Sequence, residues 1–400
     1  MLEVVTTQVD STNEKASTGL DSLLGADVAS HFFSHVFNNE ILYVKHSNPA
    51  YFESYLKKDQ LSDLLTYRQI ATGDLRMARE GQKVSLHALL NEESNLMDVV
   101  RGKIEQGYTL ILQQLNQYHA PLTKLISSLE IENLFAFQAN AYYSPPHSSG
   151  FERHWDTHDV FILQVEGEKT WELFDRPIVS PNDELTSKYS TKLSAQAKFI
   201  QKVVLKPGEL LYLPRGAAHQ VYTEDSESLH ITLGIRQSTV ENLLMKSISQ
   251  ICKNDPAFQR SLNFLTNDTN QTALKERLIE HVNAYDLTDA LNQLRVIFLE
   301  ARRQTQSRLL STLCAQEQSI WRPETQYSIS TSYRAEFNDD SCQLYFEGRK
   351  LSFSSLHKTA LSHILQNNSK PSDSSQLEVE HLKYVGQKLL NEGLLQLAHS

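Results

Sequence analysis

The middle of the chain, from about residue 133 to 237, is built from short apolar runs that turn residues separate. Glycine and proline lie between many of these runs, which read LFAFQANAYY, DVFILQV, KTWELF, KFIQKVVL, ELLYL, HQVYTE and SLHITLGIR. Many short strands closed by such turns are typical of a β-sandwich or a β-barrel. We therefore predict an all-β core for this part of the chain.

Segments on both sides of this core have apolar residues at helical spacing. Residues 97–130 show this spacing, which predicts helices that brace the sheet. Residues 240–311 repeat apolar positions at intervals of three and four and predict an all-helical module. From about residue 320, β-like stretches and two further helical patterns fit a winged-helix-like module.

Composition excludes several classes of protein. Hydrophobic residues make up 40% of the chain and charged residues 22%, as in an ordinary globular protein, and the apolar stretches are too short to span a membrane. The N-terminal residues lack the pattern of a secretory signal, and three cysteines without a paired motif favour a reducing cytoplasm. The formal net charge of −10 is unfavourable for binding nucleic-acid phosphates, so we expect no direct nucleic-acid partner.

Two possible metal ligands lie just before the most apolar of the β-like runs. In an extended strand, His154 and Asp156 project to the same side, while Trp155 points away. An imidazole beside a carboxylate is the mixed donor set of non-haem Fe(II), which needs one more histidine to complete a two-histidine, one-carboxylate face. His219 follows a Pro-Arg-Gly turn and begins a strand, so we predict that it is the third ligand.

A lysine on the strand after the next turn supports this prediction. In the run KTWELF, Lys169 shares a face with Trp171 and Leu173, and we predict that this face is inside the barrel. A lysine among large apolar residues is costly to bury unless it meets an anion. A dicarboxylate cosubstrate would supply that anion.

Other polar residues nearby are weaker candidates as ligands. His158 lies four residues after His154, as in a zinc-binding helix, but the HEXXH pattern is absent and a strand pattern follows. We expect His158 at the rim of the site, Asp159 at the surface beside it, and His230 as an ordinary strand or core histidine.

The quoted residues resemble a known family. The stretches NAYYSPPHSSGFERHWDTHDVFILQVEGEKTWELF and KPGELLYLPRGAAHQV resemble the JmjC/cupin-4 group of Fe(II)- and 2-oxoglutarate-dependent oxygenases, and within it the ribosomal oxygenases. The resemblance implies an α+β fold in which a double-stranded β-helix with bracing helices precedes a helical dimerisation module and a winged-helix-like end. The expected division is a polar flexible tail at 1–24, the JmjC/cupin catalytic domain at 25–237, the helical dimerisation domain at 238–318 and the winged-helix-like domain at 319–400.

The resemblance also assigns roles to individual residues. It implies that Lys169 binds the distal carboxylate of 2-oxoglutarate and that Asn140 and Thr232 line the cosubstrate or substrate pocket. On residue type alone, Asn140 could equally satisfy a turn, and Thr232 could be an ordinary strand residue. Many relatives have proline and tyrosine where this chain has Arg153 and Trp155, and we expect these two residues at the substrate rim.

The function implied is oxidative. The resemblance implies Fe(II) as the cofactor, 2-oxoglutarate and O₂ as cosubstrates, and hydroxylation of a side chain in a ribosomal protein or a similar basic polypeptide. Hydroxylation of another peptide or a natural-product precursor, and a demethylase-like activity, are alternatives. A metal-free cupin scaffold is an alternative of a different class, and a homodimer is expected from the helical module.

Overall fold

The chain forms two compact units, residues 1–236 and 237–400. The computed structural model describes residues 2–10, 19–68, 70–85, 95–181, 192–261, 271–302, 320–322, 325–331, 333–367 and 379–397. The unit boundary falls where the sequence changes from strand to helix patterns. The further division expected at 318/319 lies outside the described ranges and stays a prediction.

The first unit contains twelve described strands and five described α-helices. The strands are β1 Val4–Val9, β2 Ile41–His46, β3 Leu75–Arg79, β4 Gln82–Ser85, β5 Thr109–Leu112, β6 Ala136–Ser144, β7 Asp159–Gly167, β8 Lys169–Phe174, β9 Phe199–Leu205, β10 Glu209–Leu213, β11 His219–Tyr222 and β12 Ser228–Arg236. The helices are α1 Asp21–Leu24, α2 Ala26–His31, α3 Lys58–Tyr67, α4 Leu96–Glu105 and α5 Ala120–Asn133, and a π-helical turn spans Phe32–Val36.

These strands form a large sheet and a small one. The large sheet has nine strands in the order β1-β2-β10-β7-β12-β6-β5-β3-β4, and the small sheet has the order β11-β8-β9. Only β1 and β2 pair in parallel; the other described pairs in this unit are antiparallel. The turn at Gly167 therefore sends the chain from the centre of the large sheet into the small one.

The central strand β7 is apolar along most of its length because both of its faces are covered. Phe161 and Leu163 pack into the core formed with the helices, while Val160 and Ile162 pack into the core that the two sheets share. A strand buried on both faces shows a continuous apolar run instead of alternation. The run DVFILQV thus reflects a position between the bracing helices and the barrel interior.

Helix α5 shows how the helices brace the sheet. Leu122, Leu125 and Leu129, spaced by three and four, are all buried in the same core as the outer face of β7. Pro121 lies in the first turn, where its missing N–H costs nothing. The predicted bracing helices are confirmed.

Two parts of the sequence prediction for this unit are wrong. The expected polar tail at 1–24 contains β1, whose residues pair with β2 along its whole length, and buried leucines at positions 20, 23 and 24. The expected helical stretch at 97–130 contains the strand β5, which pairs with β3 and β6. In both cases long-range strand pairing determines the local structure, which short polar or apolar runs do not reveal.

The second unit begins with helices α6 Val240–Asn254, α7 Gln271–Ala284 and α8 Leu287–Glu300. It continues with strands β13 Tyr327–Ile329, β14 Tyr333–Phe337, β15 Ser341–Phe346 and β16 Arg349–Ser354, helices α9 Lys358–Asn367 and α10 Val379–Asn391, and strand β17 Leu395–Leu397. Strands β14, β15 and β16 form an antiparallel sheet, and β13 pairs with β17. Among the described helices of the chain, none has the length and apolarity needed to cross a membrane.

The turn between β7 and β8 requires glycine. Gly167 has a φ of +63°, and a Cβ at this position would lie 1.8 Å from the carbonyl oxygen of Glu227. We expect Gly167→Ala to lower the free energy of unfolding by at least about 2 kcal/mol, because the substitution adds backbone strain and a backbone clash. Urea unfolding measures the change.

Gly102→Ala is the matched control, because Gly102 lies within α4 and a Cβ there would meet nothing within 4 Å. This variant should be more stable by up to about 1 kcal/mol through helix propensity. Equal effects of the two substitutions would contradict the role given to the turn.

Candidate metal centre

The predicted ligands lie on two loop segments that a small backbone ladder joins. His154 is in the segment between Gly150 and β7, and the expected extended strand is only an isolated bridge between His154 and His219. The His154 N–H donates to the His219 carbonyl at 3.1 Å, and the His219 N–H donates to the His154 carbonyl at 2.8 Å. This reciprocal pair places one ligand-bearing segment directly against the other.

The structure brings His154, Asp156 and His219 together. One possible ligating atom from each residue lies within 4.8 Å of the other two, and no other such cluster occurs among the residues that the structure describes. The Nε2 of His219 is 3.9 Å from Oδ2 of Asp156, and the two imidazole rings have centroids 4.4 Å apart. Two imidazoles and one carboxylate on one side of a point are the donor set of a facial non-haem iron site.

Backbone carbonyls orient both imidazoles. Nδ1 of His154 lies 2.8 Å from the carbonyl oxygen of Glu152, and Nδ1 of His219 lies 3.1 Å from that of Ala217. A neutral imidazole that donates from Nδ1 keeps the lone pair on Nε2, which is the atom available to a metal. The rings are therefore set in the tautomer that metal ligation needs.

Electrostatics favour the protonation states of ligands. Burial by itself would raise the pKa of Asp156, but His158, His219 and His154 outweigh it and hold that pKa below its ordinary value. Burial, with the neighbouring His154, lowers the pKa of His219 to about 4. The carboxylate is thus charged and the His219 ring neutral at physiological pH, as a divalent metal requires.

The three residues line one cavity of about 390 Å³. Its wall is mixed, with charged, aromatic and small residues from both sheets and from the loops between them. The remaining lining residues are Gly81, Lys83, Thr109, Tyr142, Gly150, Phe151, Glu152, Arg153, Trp155, Val160, Ile162, Lys169, Trp171, Val221, His230 and Thr232. A cavity of this size suits a small organic ligand.

Lys169 is the most unusual group in this wall. It is 5% exposed, and its Nζ donates to Oγ of Ser144 at 2.7 Å. Burial lowers the pKa of Lys169 to about 7, and no carboxylate pairs with it in the described part of the chain. A buried ammonium group without a counter-ion is costly, so this wall favours binding of an anion.

Hydroxyl groups behind Lys169 were not identified from the sequence. Ser144 also contacts the Thr109 hydroxyl at 2.8 Å, and Thr109 lies 3.4 Å from the Ser148 hydroxyl. Thr109 lines the cavity, and its strand β5 was predicted as helix. No sequence signal marks these hydroxyls, because they meet through the pairing of β5 with β6.

Asn140 and Thr232 face each other across paired strands. Thr232 lines the cavity, whereas Asn140 does not, and Oδ1 of Asn140 accepts hydrogen bonds from the Gln114 N–H and from Nε2 of Gln138. Both side chains reach Tyr142, whose pKa burial raises to about 12. Tyr142 thus lines the cavity in contact with both side chains, and the binding roles of Asn140 and Thr232 stay predictions.

The three residues expected at the rim differ in exposure: Trp155 is buried, whereas Arg153 and His158 are partly exposed. Arg153 is half-buried, with its guanidinium 3.7 Å from the centre of the Phe174 ring. Trp155 is only 1% exposed, so it forms a wall of the cavity and not an exposed rim. His158 is partly exposed beside Asp156 and packs closely on Gly234, which leaves no room for a Cβ there.

The predictions for Asp159 and His230 have different outcomes. Asp159, expected at the surface, is fully buried, so that prediction is wrong; it accepts a hydrogen bond of 2.6 Å from the Tyr212 hydroxyl. His230 is a buried strand histidine as expected, stacked on Tyr142 with ring centroids 4.9 Å apart. It also lines the cavity, and Nδ1 of His230 has no hydrogen-bond partner among the described residues.

Comparison with known families agrees with this geometry. Residues 112–243 match the family model described as the JmjC domain, and this range holds the three clustered residues and Lys169. The chain contains a JmjC domain. The expected family resemblance is thereby confirmed for this part of the chain.

Similar proteins extend the JmjC match. A bifunctional lysine-specific demethylase and histidyl-hydroxylase, NO66 of Drosophila yakuba, is 27% identical over 321 residues, which cover 73% of this chain and 46% of the relative. The relative from Drosophila persimilis is 38% identical over 154 residues, which cover 37% of this chain and 22% of the relative. The chain thus spans less than half the length of these curated relatives.

A solved structure shares the fold. YcfD, a ribosomal oxygenase from Escherichia coli in complex with cobalt and succinic acid, aligns with a TM-score of 0.52 and 16% identity, covering 92% of this chain and 98% of that one. Its complex with cobalt and 2-oxoglutarate aligns with a TM-score of 0.50 and 17% identity, with the same coverage. Because the sequence identity is low, these alignments support only a shared fold, which is the cupin-like fold around the JmjC domain.

The buried ammonium group predicts an unusual dependence of stability on pH. The unfolded chain holds the Lys169 proton up to its ordinary pKa of 10.5, whereas the folded chain releases it near pH 7. Between these values the unfolded state binds more protons, so stability rises with pH, by at most about 1.4 kcal/mol per pH unit. We expect Lys169→Met to remove this rise in urea unfolding measured without a dicarboxylate.

Lys198→Met, which removes an exposed lysine, is the control and should keep the slope of the wild type. Parallel curves for the wild type and Lys169→Met between about pH 7 and 9.5 would show that the Lys169 ammonium group has a partner.

Proposed function

We propose that the protein is an Fe(II)- and 2-oxoglutarate-dependent dioxygenase that hydroxylates a side chain of another protein. The substrate that we propose is a ribosomal protein. One observation carries the proposal. A single cavity combines two imidazoles and a carboxylate with a buried lysine that has no counter-ion among the described residues. Three ligands on one side leave coordination positions for a bidentate cosubstrate and oxygen.

The named relatives support this reading. The fly relatives are named as histidyl-hydroxylases and lysine-specific demethylases, and the aligned bacterial structures are named as a ribosomal oxygenase with cobalt, succinic acid or 2-oxoglutarate. His154, Asp156 and His219 are the residues with which this chain could bind a metal ion. The chain spans less than half of the length of the curated relatives, so their names alone do not give its activity. We therefore infer its activity, substrate and partners from its own site.

The residues fit the metal and the dicarboxylate in chemistry as well as number. Nε2 of His154, Nε2 of His219 and the charged carboxylate of Asp156 would hold Fe(II), which supplies oxygen activation when bound. Lys169 would pair with the distal carboxylate of 2-oxoglutarate and gain the counter-ion that it lacks. Nε1 of Trp171 and Nδ1 of His230 are buried without described partners, so the cavity also offers groups for a bound ligand.

Walls of the cavity exclude water and hold the substrate. Trp155 and Trp171 are nearly fully buried, and Val160 and Ile162 complete an apolar side. Such a wall would shield its side of the metal position from water, and a substrate side chain held in the rest of the cavity would have one C–H bond aimed at the centre. Orientation of this kind is the protein's main contribution to a cofactor-driven oxidation.

The alternatives differ in what the cavity receives. A demethylase-like oxygenase, or a hydroxylase of another peptide or natural-product precursor, would use the same metal and lysine with a different substrate. A metal-free scaffold would need neither. The protonation states of Asp156 and His219 and the orientation of both imidazoles favour a metal-dependent enzyme. Three cysteines without a paired motif favour a cytoplasmic location.

Cosubstrate turnover tests the proposal. Purified protein with Fe(II), O₂ and 2-oxoglutarate should release succinate, and this release should increase when fragments of ribosomal proteins are added. Mass spectrometry of those fragments should show the addition of one oxygen atom. We expect His219→Ala to lower turnover by a factor of at least about 100, because it removes one of three ligands.

His147→Ala is the matched control, since the His147 side chain is largely exposed and outside the cavity. It should keep the turnover of the wild type. Succinate release without oxygen added to any ribosomal fragment would overturn the ribosomal substrate, and no Fe(II) binding at all would favour the scaffold.

We also propose that the helical part of the second unit forms a homodimer. Helices α6, α7 and α8 each expose large apolar side chains, and on α6 several of these lie on one helical face. The exposed residues are Val240, Leu244, Met245, Ile248, Ile279, Val282, Leu287, Leu291 and Ile297. Monomeric proteins rarely expose so many apolar side chains together, and a second copy is the partner that the sequence pattern favours.

The oligomeric state is tested by sedimentation. The wild type should sediment as a dimer at about 10 μM, and the double variant Leu244→Glu/Leu291→Glu as a monomer, because charges are costly in an apolar interface. Val179→Glu, at an exposed apolar residue of the first unit, is the control and should remain dimeric. A monomeric wild type would contradict this proposal.

A further inference from the structure

Asp159 is a buried carboxylate that neither the metal site nor the cosubstrate site uses. It lies three residues after Asp156, at the start of β7, and is fully buried. It is not part of the cluster of possible ligands, and it does not line the cavity. Since burial of a carboxylate is costly without strong hydrogen bonds, its partners indicate what it holds in place.

Those partners belong to the segment that leads to His219. The Tyr212 hydroxyl, at the end of β10, donates to Oδ1 of Asp159 at 2.6 Å. The backbone N–H of Arg215, in the turn that follows, also donates to this carboxylate. Asp159 therefore accepts two hydrogen bonds from residues four to seven positions before the third predicted ligand.

A backbone hydrogen bond also connects this turn to Asp156. The N–H of Gly216 donates to the carbonyl oxygen of Asp156 at 3.0 Å. The turn at residues 214–217 is thus held at one point by the backbone of a predicted ligand and at another by the side chain of Asp159. The segment bearing Asp156 and the segment bearing His219 meet at this turn.

The far side of Tyr212 is fixed as well. Its hydroxyl accepts a hydrogen bond of 3.0 Å from the N–H of Asn38, and Arg176 donates to the carbonyl oxygen of Asn38 at 2.5 Å. A tyrosine hydroxyl that donates to one group and accepts from another has a single orientation. The contact between Tyr212 and Asp159 is therefore anchored to the rest of the first unit.

We infer that Asp159 is a positioning residue that holds the His219 turn against the segment carrying His154 and Asp156, and so sets the distances between the metal ligands. The inference rests on the proposed function, since it requires that these residues bind a divalent metal. Groups that orient ligands without touching the metal typically change metal affinity by about 10- to 100-fold when they are removed.

The test measures Co(II) binding by the full chain, using visible absorption to report ligand geometry. Asp159→Asn keeps the size of the side chain but loses the negative charge and replaces one acceptor oxygen by an NH₂ group, which cannot accept a hydrogen bond. We expect it to weaken Co(II) binding about 10- to 100-fold and to change the absorption spectrum of the bound ion. Tyr212→Phe removes the hydrogen bond to Asp159 together with the one from Asn38, leaves the Asp159 carboxylate in place, and should weaken binding by a smaller factor in the same direction.

Tyr43 and Glu209 provide a matched control pair. The Tyr43 hydroxyl donates to Oε2 of Glu209 at 2.6 Å, and both residues belong to strands of the large sheet but not to the cavity. Tyr43→Phe therefore removes a similar tyrosine–carboxylate bond that contacts neither the turn at residues 214–217 nor Asp159. It should lower stability without changing Co(II) affinity or the spectrum.

The possible failures are distinguishable. If the wild type binds no Co(II), the proposed function fails and this inference falls with it. If the wild type binds Co(II) while folded Tyr212→Phe and Asp159→Asn bind it as tightly and with the same spectrum, the proposed function stands and Asp159 is only a stabilising residue. If Asp159→Asn does not fold, Tyr212→Phe decides between these outcomes alone.

Discussion

The candidate site depends on one pair of backbone hydrogen bonds, in which His154 and His219 each donate to the carbonyl oxygen of the other. These bonds connect the loop before the large sheet's central strand with the first strand of the small sheet. The bridge between Ser149 and Tyr222 and the hydrogen bond from the Gly216 N–H to the Asp156 carbonyl join the same two segments on either side of this pair. The position of the metal ligands thus follows from how the barrel closes.

Strand pairing elsewhere supplies the frame for that closure. The central strand β7 is buried between the bracing helices and the barrel interior, and Gly167 turns the chain from it directly into β8. Lys169 begins β8, and β8 pairs with β11, whose first residue is His219. A single strand pairing therefore connects the lysine-bearing strand with the strand that starts at a predicted ligand.

Charge in the cavity makes the protein less stable than an apolar barrel would be. Burial lowers the pKa of Lys169 to about 7, and the partly exposed carboxylate of Asp156 lies close to three histidines. Natural proteins commonly accept such costs at functional sites, because a ligand of opposite charge recovers the lost free energy on binding. A divalent metal at Asp156 and a carboxylate at Lys169 are the complementary groups.

Much of this arrangement could be predicted from the sequence. The seven strand runs of the middle segment and the helices around them are observed, because alternation, apolar runs and turn residues are local signals. The clustering of His154, Asp156 and His219 was expected from residue types that few other roles explain together.

The parts that the sequence did not reveal depend on contacts between distant segments. The short run TLIL, which forms β5, reads in the sequence as one more turn of the helices around it. Only its pairing with β3 and β6 makes it a strand. Asp159 was expected at the surface because an aspartate usually is, and its burial depends on Tyr212 and Arg215, which lie more than fifty residues away. Trp155 was placed at the rim because many relatives have tyrosine there, and its burial depends on the packing of the loop before β7, which residue type does not reveal.

The most direct measurement is a crystal structure of the protein grown without oxygen in the presence of Fe(II) and 2-oxoglutarate, with anomalous scattering to locate the iron. We predict one iron atom bonded to Nε2 of His154, Nε2 of His219 and the carboxylate of Asp156, with the distal carboxylate of 2-oxoglutarate on Nζ of Lys169. Iron bound elsewhere, or 2-oxoglutarate bound away from Lys169, would contradict the account.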